Sequence, residues 1–98
     1  MSDAPKLPPL RDIIKTYGLG AKKSLGQHFL LDANLTDRIA RSAGSLKGKR
    51  VIEIGPGPGG LTRSILANEP EALYAIERDR RCIEALGELQ SAYPSKLH

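Results

Sequence analysis

The sequence predicts an α/β fold in which parallel strands alternate with helices. Three observations carry this prediction: the largely apolar segment Val51–Ile54 is typical of a short buried strand, the glycine-dense segment 55–60 is typical of a tight turn before a helix, and a second apolar segment, Leu73–Ile76, ends on Glu77. Strand, glycine turn, helix, strand and acidic residue, in this order, indicate a nucleoside-binding βαβ unit of the Rossmann-like type.

Two helices are predicted ahead of the first strand. Residues 1–9 are rich in proline and are predicted to be extended. Apolar residues at helical spacing predict a helix over Leu10–Tyr17. After a loop, Asp32 is predicted to cap the amino end of a second helix that continues to Ala43. The buried side of this second helix is predicted to consist of Leu35, Ile39 and Ala43.

The elements around the second strand complete one βαβα unit. A helix is predicted to begin at Leu61, and a longer helix is predicted over Arg80–Ala92 with Asp79 as its cap. Residues 95–98 are predicted to begin a third strand. The inward side of the longer helix is predicted to be formed by Ile83, Leu86 and Leu89.

The predicted elements are too few for a whole doubly wound domain. Two strands and the start of a third leave the sheet edges open and much of a core missing. We therefore expect residues 22–98 to be the amino-terminal part of an incomplete domain, preceded by an extension over residues 1–21 that carries a short helix.

The glycine turn allows two classes of nucleoside ligand. Its spacing, Gly55-x-Gly57-x-x-Gly60, formally matches the fingerprint of dinucleotide-binding proteins. A pyrophosphate, however, is held by backbone N–H groups at the turn and at the start of the helix, and Pro56 and Pro58 have no N–H to donate. A nucleoside cofactor without phosphate loses nothing at these positions.

Two acidic residues favour S-adenosylmethionine. Glu53 precedes the first glycine, where a carboxylate repels a pyrophosphate but attracts a cationic amino or sulfonium group. Glu77 follows the second strand, where a carboxylate can accept hydrogen bonds from ribose hydroxyls. The sequence therefore favours S-adenosylmethionine over a dinucleotide; the alternative is a turn without a ligand, beside a solvated or arginine-paired Glu77.

The charge of the chain is unevenly distributed. Residues 1–50 contain 10 Lys/Arg against 4 Asp/Glu, whereas residues 51–98 contain 5 against 7. A basic amino-terminal half favours a polyanionic partner such as nucleic acid, and the alternative is a solvated basic surface. One cysteine excludes an internal disulfide and, with two histidines, argues against a zinc site. Without an apolar run of 18 residues or a secretory signal, we expect a monomeric cytoplasmic protein without a membrane span.

A longer set of motifs resembles the ribosomal RNA adenine dimethyltransferase family. Members carry a Leu-Gly-Gln-Asn-Phe-Leu-like segment, then an acidic residue and glycine turn, then Leu-Thr, and then a strand ending in Glu-x-Asp. This sequence has the corresponding residues in the same order, over about residues 22–89: Leu25-Gly26-Gln27-His28-Phe29-Leu30, Glu53 to Gly60, Leu61-Thr62 and Glu77-Arg78-Asp79.

The resemblance implies a role for four residues in binding S-adenosylmethionine. His28 and Leu30 would touch the cofactor from the amino-terminal loop, Gly55 would lie under it, and Glu77 would accept the ribose hydroxyls. Position 28 departs from the commonest family pattern, which has Asn; a neutral His still offers one donor and one acceptor. Lys22 and Lys23 are candidates for RNA phosphate contacts, and a solvated pair is the alternative.

The implied reaction is transfer of two methyl groups to N6 of each of two adjacent adenosines in small-subunit ribosomal RNA during ribosome assembly. The family's Asn-Leu-Pro-Tyr or Asn-Leu-Pro-Phe segment is absent from this sequence, so no catalytic residue can be named, and we expect the 98-residue chain alone to be inactive. The alternatives are a relative that methylates large-subunit RNA and a truncated or non-catalytic RNA-binding protein on the same fold.

Overall fold

The computed structural model describes residues 7–19 and 32–98, which contain four helices and two strands. We number them in chain order as α1 Leu10–Thr16, α2 Ala33–Ser42, β1 Arg50–Ile54, α3 Gly60–Ala67, β2 Ala72–Ile76 and α4 Arg80–Ala92. The helices and strands that were predicted with both bounds are present, and none of their bounds differs from the prediction by more than one residue.

The two strands form a parallel sheet, as predicted. Their register runs from Arg50 opposite Ala72 to Ile54 opposite Ile76. On the other side of β2, Leu97 forms a parallel bridge to Leu73, and His98 N donates to Leu73 O over 2.8 Å. Residues 97–98 thus pair with the second edge of β2, where the third strand was predicted, whereas residues 95 and 96 form a turn.

One face of the sheet is covered by helices and forms the core. Leu73, the second residue of β2, is fully buried, and burying a leucine contributes about 1.5–3 kcal/mol. The residues packed around it come from α2, α3, α4 and the loops before β1 and after α4: Ala40, Leu46, Ile65, Leu66, Leu86, Leu89 and Leu97. The helices therefore pack on one face of the sheet formed by β1 and β2.

The predicted buried side of α2 is wrong by one position. Ile39 is 44% exposed and Ala43 is exposed, whereas Thr36 and Ala40 are buried. The physical reason is the contact with α3, which brings Thr36 close enough for a hydrogen bond to Ser64. Small and hydroxyl side chains permit this close approach, so the larger apolar residues lie at the margin of the contact.

The inward side of α4 is predicted correctly for Leu86 and Leu89 but not for Ile83. Ile83 is 51% exposed, while Cys82 and Ala85 are buried beside the two leucines. The helix turns its smaller residues towards the sheet near its amino end.

The second face of the sheet is exposed, which corrects the prediction that β1 is a buried strand. Side chains alternate between the two faces of a strand, and the outward set is apolar. Ile54 in β1 is 81% exposed, and the other exposed large apolar residues of this face are Ile52, Tyr74 and Ile76. None of the described helices is both long enough and apolar enough to cross a membrane.

Candidate functional site

The glycine turn connects the carboxyl end of β1 to α3. Gly55 and Gly57 have φ angles of 70° and 59°. These angles favour glycine, because a residue with a Cβ is strained there. The Gly55 N–H donates to Ile76 O over 2.8 Å, so the turn starts against the end of β2. A Cβ placed on Gly55 would have no other atom within 4 Å. The backbone at Gly55 is therefore not covered by another described residue, and its contact with a cofactor stays a prediction.

Glu77 is the centre of the candidate site. It follows β2 directly, and its Oε1 accepts a hydrogen bond from the Gly57 N–H over 2.9 Å. Its Oε2 accepts from the N–H groups of Arg78, over 2.8 Å, and Asp79, over 2.9 Å. The carboxylate thus joins the end of β2 to the glycine turn, and its hydrogen bonds go to backbone groups rather than to arginine side chains.

These contacts keep Glu77 ionised. The N–H of Asp79, above all, and those of Gly57 and Arg78 lower the pKa of this carboxyl below its ordinary value, against the opposing effect of burial. A carboxylate offers about four lone-pair directions, and three are occupied here. One ribose hydroxyl can therefore bind with all three backbone contacts intact, whereas a second would displace or share one of them.

Glu53 lies beneath the turn, on the helix-covered face of the sheet. It is buried, and its Oε1 accepts a hydrogen bond from the Thr62 hydroxyl in the first turn of α3 over 2.5 Å. Burial raises the pKa of Glu53, and the Thr62 hydrogen bond partly opposes this effect. The contact that the structure shows for Glu53 is thus internal to the fold, and attraction of a cofactor cation by this residue stays a prediction.

A cavity of 190 Å³ opens beside Glu77, between β2, α4 and residues 97–98. Ile83 and Leu86 of α4 form an apolar wall, and His98 stacks on Tyr74 with ring centroids 5.1 Å apart. Sites for drug-sized ligands are about 300–1,000 Å³. This cavity is smaller than such a site, and the polar side chains that line it are Glu77, Gln90 and His98.

His28 and Leu30 lie outside the described residues, as do Lys22 and Lys23. The predicted contacts of these four residues stay predictions. Among the described residues, Ala33 at the start of α2 and Gly60 at the start of α3 line one cavity of 250 Å³.

Sequence reasoning missed the polar residues that hold α2 against α3. The Ser64 hydroxyl lies 2.8 Å from Thr36 Oγ1 and 2.6 Å from Asp37 Oδ1, in a largely buried contact. The nearby Arg63 has a buried Nε without a hydrogen-bond partner among the described residues. The sequence pattern does not indicate this contact, because the bonded residues belong to two different helices and are 28 and 27 positions apart in the chain.

Comparison with known proteins fits this geometry. The family model described as ribosomal RNA adenine dimethylase matches residues 18–97, which is most of the chain. The chain belongs to the ribosomal RNA adenine dimethylase family. The resemblance predicted from the sequence motifs is therefore confirmed.

The similar relatives carry one shared name. A protein of Xanthobacter autotrophicus named ribosomal RNA small subunit methyltransferase A is 59% identical over 97 residues, which are 99% of this chain and 34% of the relative. A protein of the same name from Sinorhizobium medicae is 63% identical over 91 residues, 93% of this chain and 33% of the relative. The chain spans about a third of the length of these relatives.

A solved structure supports the fold. The protein of Pyrococcus horikoshii, described as a proposed RNA methyltransferase, superposes with a TM-score of 0.58 at 20% identity, covering 94% of this chain and 49% of its own. The predicted Rossmann-like α/β architecture is confirmed by this similarity together with the family match. Within residues 7–19 and 32–98, no cluster of three or more His, Cys, Asp or Glu residues could hold a metal ion.

Proposed function

We propose that this chain carries cofactor-binding residues of an S-adenosylmethionine-dependent enzyme that dimethylates N6 of two adjacent adenosines in small-subunit ribosomal RNA during ribosome assembly. Family membership and the name of the relatives support methylation of small-subunit ribosomal RNA. The single observation within the chain that carries the proposal is the position of Glu77, an ionised acceptor held at the end of β2 beside an open glycine turn.

The residues present fit S-adenosylmethionine. The open space above Gly55 admits a ligand close to the backbone, and Pro56 and Pro58 remove two N–H groups that a pyrophosphate would use. Glu77 keeps an acceptor direction for a ribose hydroxyl. We assign His28 and Leu30 to the same site, because their segment leads into α2 next to Gly60.

In this proposal, the residues of this chain bind and orient the cofactor. The cofactor supplies a methyl group that its sulfonium already makes electrophilic. Glu77 fixes the ribose end, and the turn at Gly55 sets the depth of the ligand against the sheet. Alignment of the reacting atoms then lowers the barrier, since good orientation supplies about 7–11 kcal/mol in favourable cases. The residues that hold the adenine are proposed to lie outside these 98 residues.

The proposal is tested with a chimera in which residues 1–98 replace the matching third of the Xanthobacter autotrophicus relative. Methyl-labelled S-adenosylmethionine is supplied with immature small ribosomal subunits and, in a separate reaction, with immature large subunits. We expect label in N6,N6-dimethyladenosine at two adjacent positions of the small-subunit RNA. The 98-residue chain alone should transfer no label.

Two outcomes contradict the proposal. Label in large-subunit RNA but not in the small subunit would indicate the other class of adenine methyltransferase. The second outcome is a folded chimera that binds the small subunit and the cofactor but transfers no methyl group, while the parent relative is active in the same assay. It would indicate that the amino-terminal part is non-catalytic.

A further inference from the structure

A second surface with a strong charge lies away from the glycine turn. Residues 38 to 50 contain five Lys/Arg and no Asp/Glu. All five side chains are exposed, and we call them the basic segment: Arg38, Arg41, Lys47, Lys49 and Arg50. No other stretch of this length in the described residues has such a charge.

The basic segment lies at the amino edge of the sheet, opposite the candidate cofactor site. It runs from the second half of α2 through the loop into β1. Because β1 has five residues that rise about 3.3 Å each, the segment lies on the order of 15 Å from the glycine turn. A ligand that touches both edges must therefore be much larger than a nucleotide.

The loop of the basic segment is held in a defined position. Leu46 is buried in the core, and the backbone of Lys47 forms an antiparallel β-bridge with Pro70. Lys49 O accepts a hydrogen bond from Glu71 N over 2.8 Å. The charges on either side of Leu46 are thus presented from a fixed backbone, so binding of a ligand would not have to order this loop.

Most of the positive charge is not neutralised by neighbouring acids. The ion pairs among the described residues are Arg50 with Glu71, at 3.1 Å, and Arg81 with Asp79. Asp37, one helical turn before Arg41, accepts a hydrogen bond from Ser64 and forms no ion pair with a described residue. Glu69, the other acid near the loop, makes no ion pair there either. Four cations of the segment consequently lack an ion-pair partner within residues 7–19 and 32–98: Arg38, Arg41, Lys47 and Lys49.

Stabilisation of the fold does not account for this arrangement. Arg41 is in the last turn of α2, where a cation interacts favourably with the helix dipole. Lys47 and Lys49 lie on a loop, and their exposed side chains make no hydrogen bond to the described residues. The described contacts thus give these two lysines no role in holding the loop.

We propose that the basic segment binds the phosphate backbone of double-stranded RNA at a site remote from the methyl-transfer site. Lysines and arginines that contact phosphates give affinity without reading sequence. The segment contains no aromatic residue on which unpaired bases could stack, and Tyr93, beside Lys47, packs against the core. This inference rests on the proposed function, since it presumes an RNA substrate that is folded and large.

The test compares variants of the full 98-residue chain in binding to a labelled RNA hairpin at several salt concentrations. Lys47→Ala with Lys49→Ala removes two charges from the segment. The matched control, Arg11→Ala with Lys15→Ala, removes two exposed charges from α1. Each phosphate contact contributes about 0.7–0.9 to the slope of log affinity against log salt. We expect the segment variant to flatten this slope by about 1.5 and to weaken binding at least tenfold at low salt, while the control retains most of both.

Further outcomes separate this inference from the proposed function. Equal effects of the two variants, an unchanged slope in the segment variant, or wild-type chain that does not bind the hairpin would each overturn the basic segment as an RNA site. Stronger binding to a single strand than to the hairpin would overturn the preference for duplex. If the segment variant loses RNA while the chimera described above transfers no methyl group, the RNA site stands and the proposed reaction fails.

Discussion

At the scale of single residues, the buried pair of Glu53 and Thr62 makes the stability of the chain depend on pH. The folded state raises the pKa of Glu53, so it binds the proton more tightly than the unfolded state does. Stability from this group is therefore complete below the ordinary glutamate pKa and falls as pH rises towards the raised value. Glu53→Gln, which keeps an acceptor for Thr62, should remove this part of the pH dependence in thermal melts, and an unaltered profile would contradict the assignment.

The other half of the pair can be tested at fixed pH. Thr62→Val keeps the shape of the side chain but leaves the buried carboxylate without its donor. We expect a loss of about 1–3 kcal/mol in the free energy of unfolding at neutral pH, and a smaller loss in the Glu53→Gln background, because a neutral amide tolerates burial better. Equal losses in both backgrounds would show that Thr62 acts through packing alone.

Alanine substitutions at Gly59 and Gly48 distinguish the cost of backbone strain from the cost of side-chain crowding. Both have positive φ, at 101° and 74°, so alanine is strained at either position. A Cβ on Gly59 would lie 3.0 Å from Leu86 Cδ2, whereas one on Gly48 meets nothing within 4 Å. Denaturant unfolding should therefore show a larger loss for Gly59→Ala than for Gly48→Ala, by at least about 1 kcal/mol. Equal losses would mean that Leu86 moves aside freely.

At the scale of elements, the contact between α2 and α3 depends on one hydroxyl. The Asp37 carboxylate can only accept, so the Ser64 proton, 2.6 Å away, is its donor there. Ser64→Ala should lower the free energy of unfolding by about 1–3 kcal/mol, because the Asp37 carboxylate loses its donor, whereas Thr36 keeps its hydrogen bond to Ala33 O. The control is Ser91→Ala, whose exposed hydroxyl donates to Gly87 O of its own helix, and it should cost less than about 0.5 kcal/mol. A Ser64 variant as stable as the Ser91 variant would contradict this account.

The sequence predicts elements better than the faces of the elements. Asp32 and Asp79 cap α2 and α4 as predicted, since a cap is a local contact between a side chain and the N–H groups two or three residues later. Ile39 and Ile83 are exposed because the partner element, which the local pattern does not contain, decides which residues are buried. Glu77 could be predicted because strand and turn fix its place. The Thr62 and Ser64 contacts could not be predicted, since they join segments far apart in the chain.

At the scale of the whole molecule, one face of the sheet is not covered by the described elements. Parallel sheets are normally covered on both faces, yet Ile52 and Ile54 are exposed here. The 98-residue chain should bind an apolar fluorescent dye, and Ile52→Thr with Ile54→Thr should reduce this binding. In the chimera, where we expect helices to cover this face, the same substitutions should lower the melting temperature. No change in the chimera would show that the face stays exposed.

The central claim is that Glu77 and the glycine turn form the cofactor site, and the affinity of the chimera for S-adenosylmethionine tests it most directly. Calorimetric titration should show Glu77→Ala weakened more than tenfold, since a hydrogen bond to a charged acceptor is worth about 1.5–3 kcal/mol. Glu71→Ala, a carboxylate removed at the opposite edge, should bind as the parent does, and melts without cofactor should show both variants folded. Unchanged affinity in a folded Glu77→Ala variant would contradict the claim.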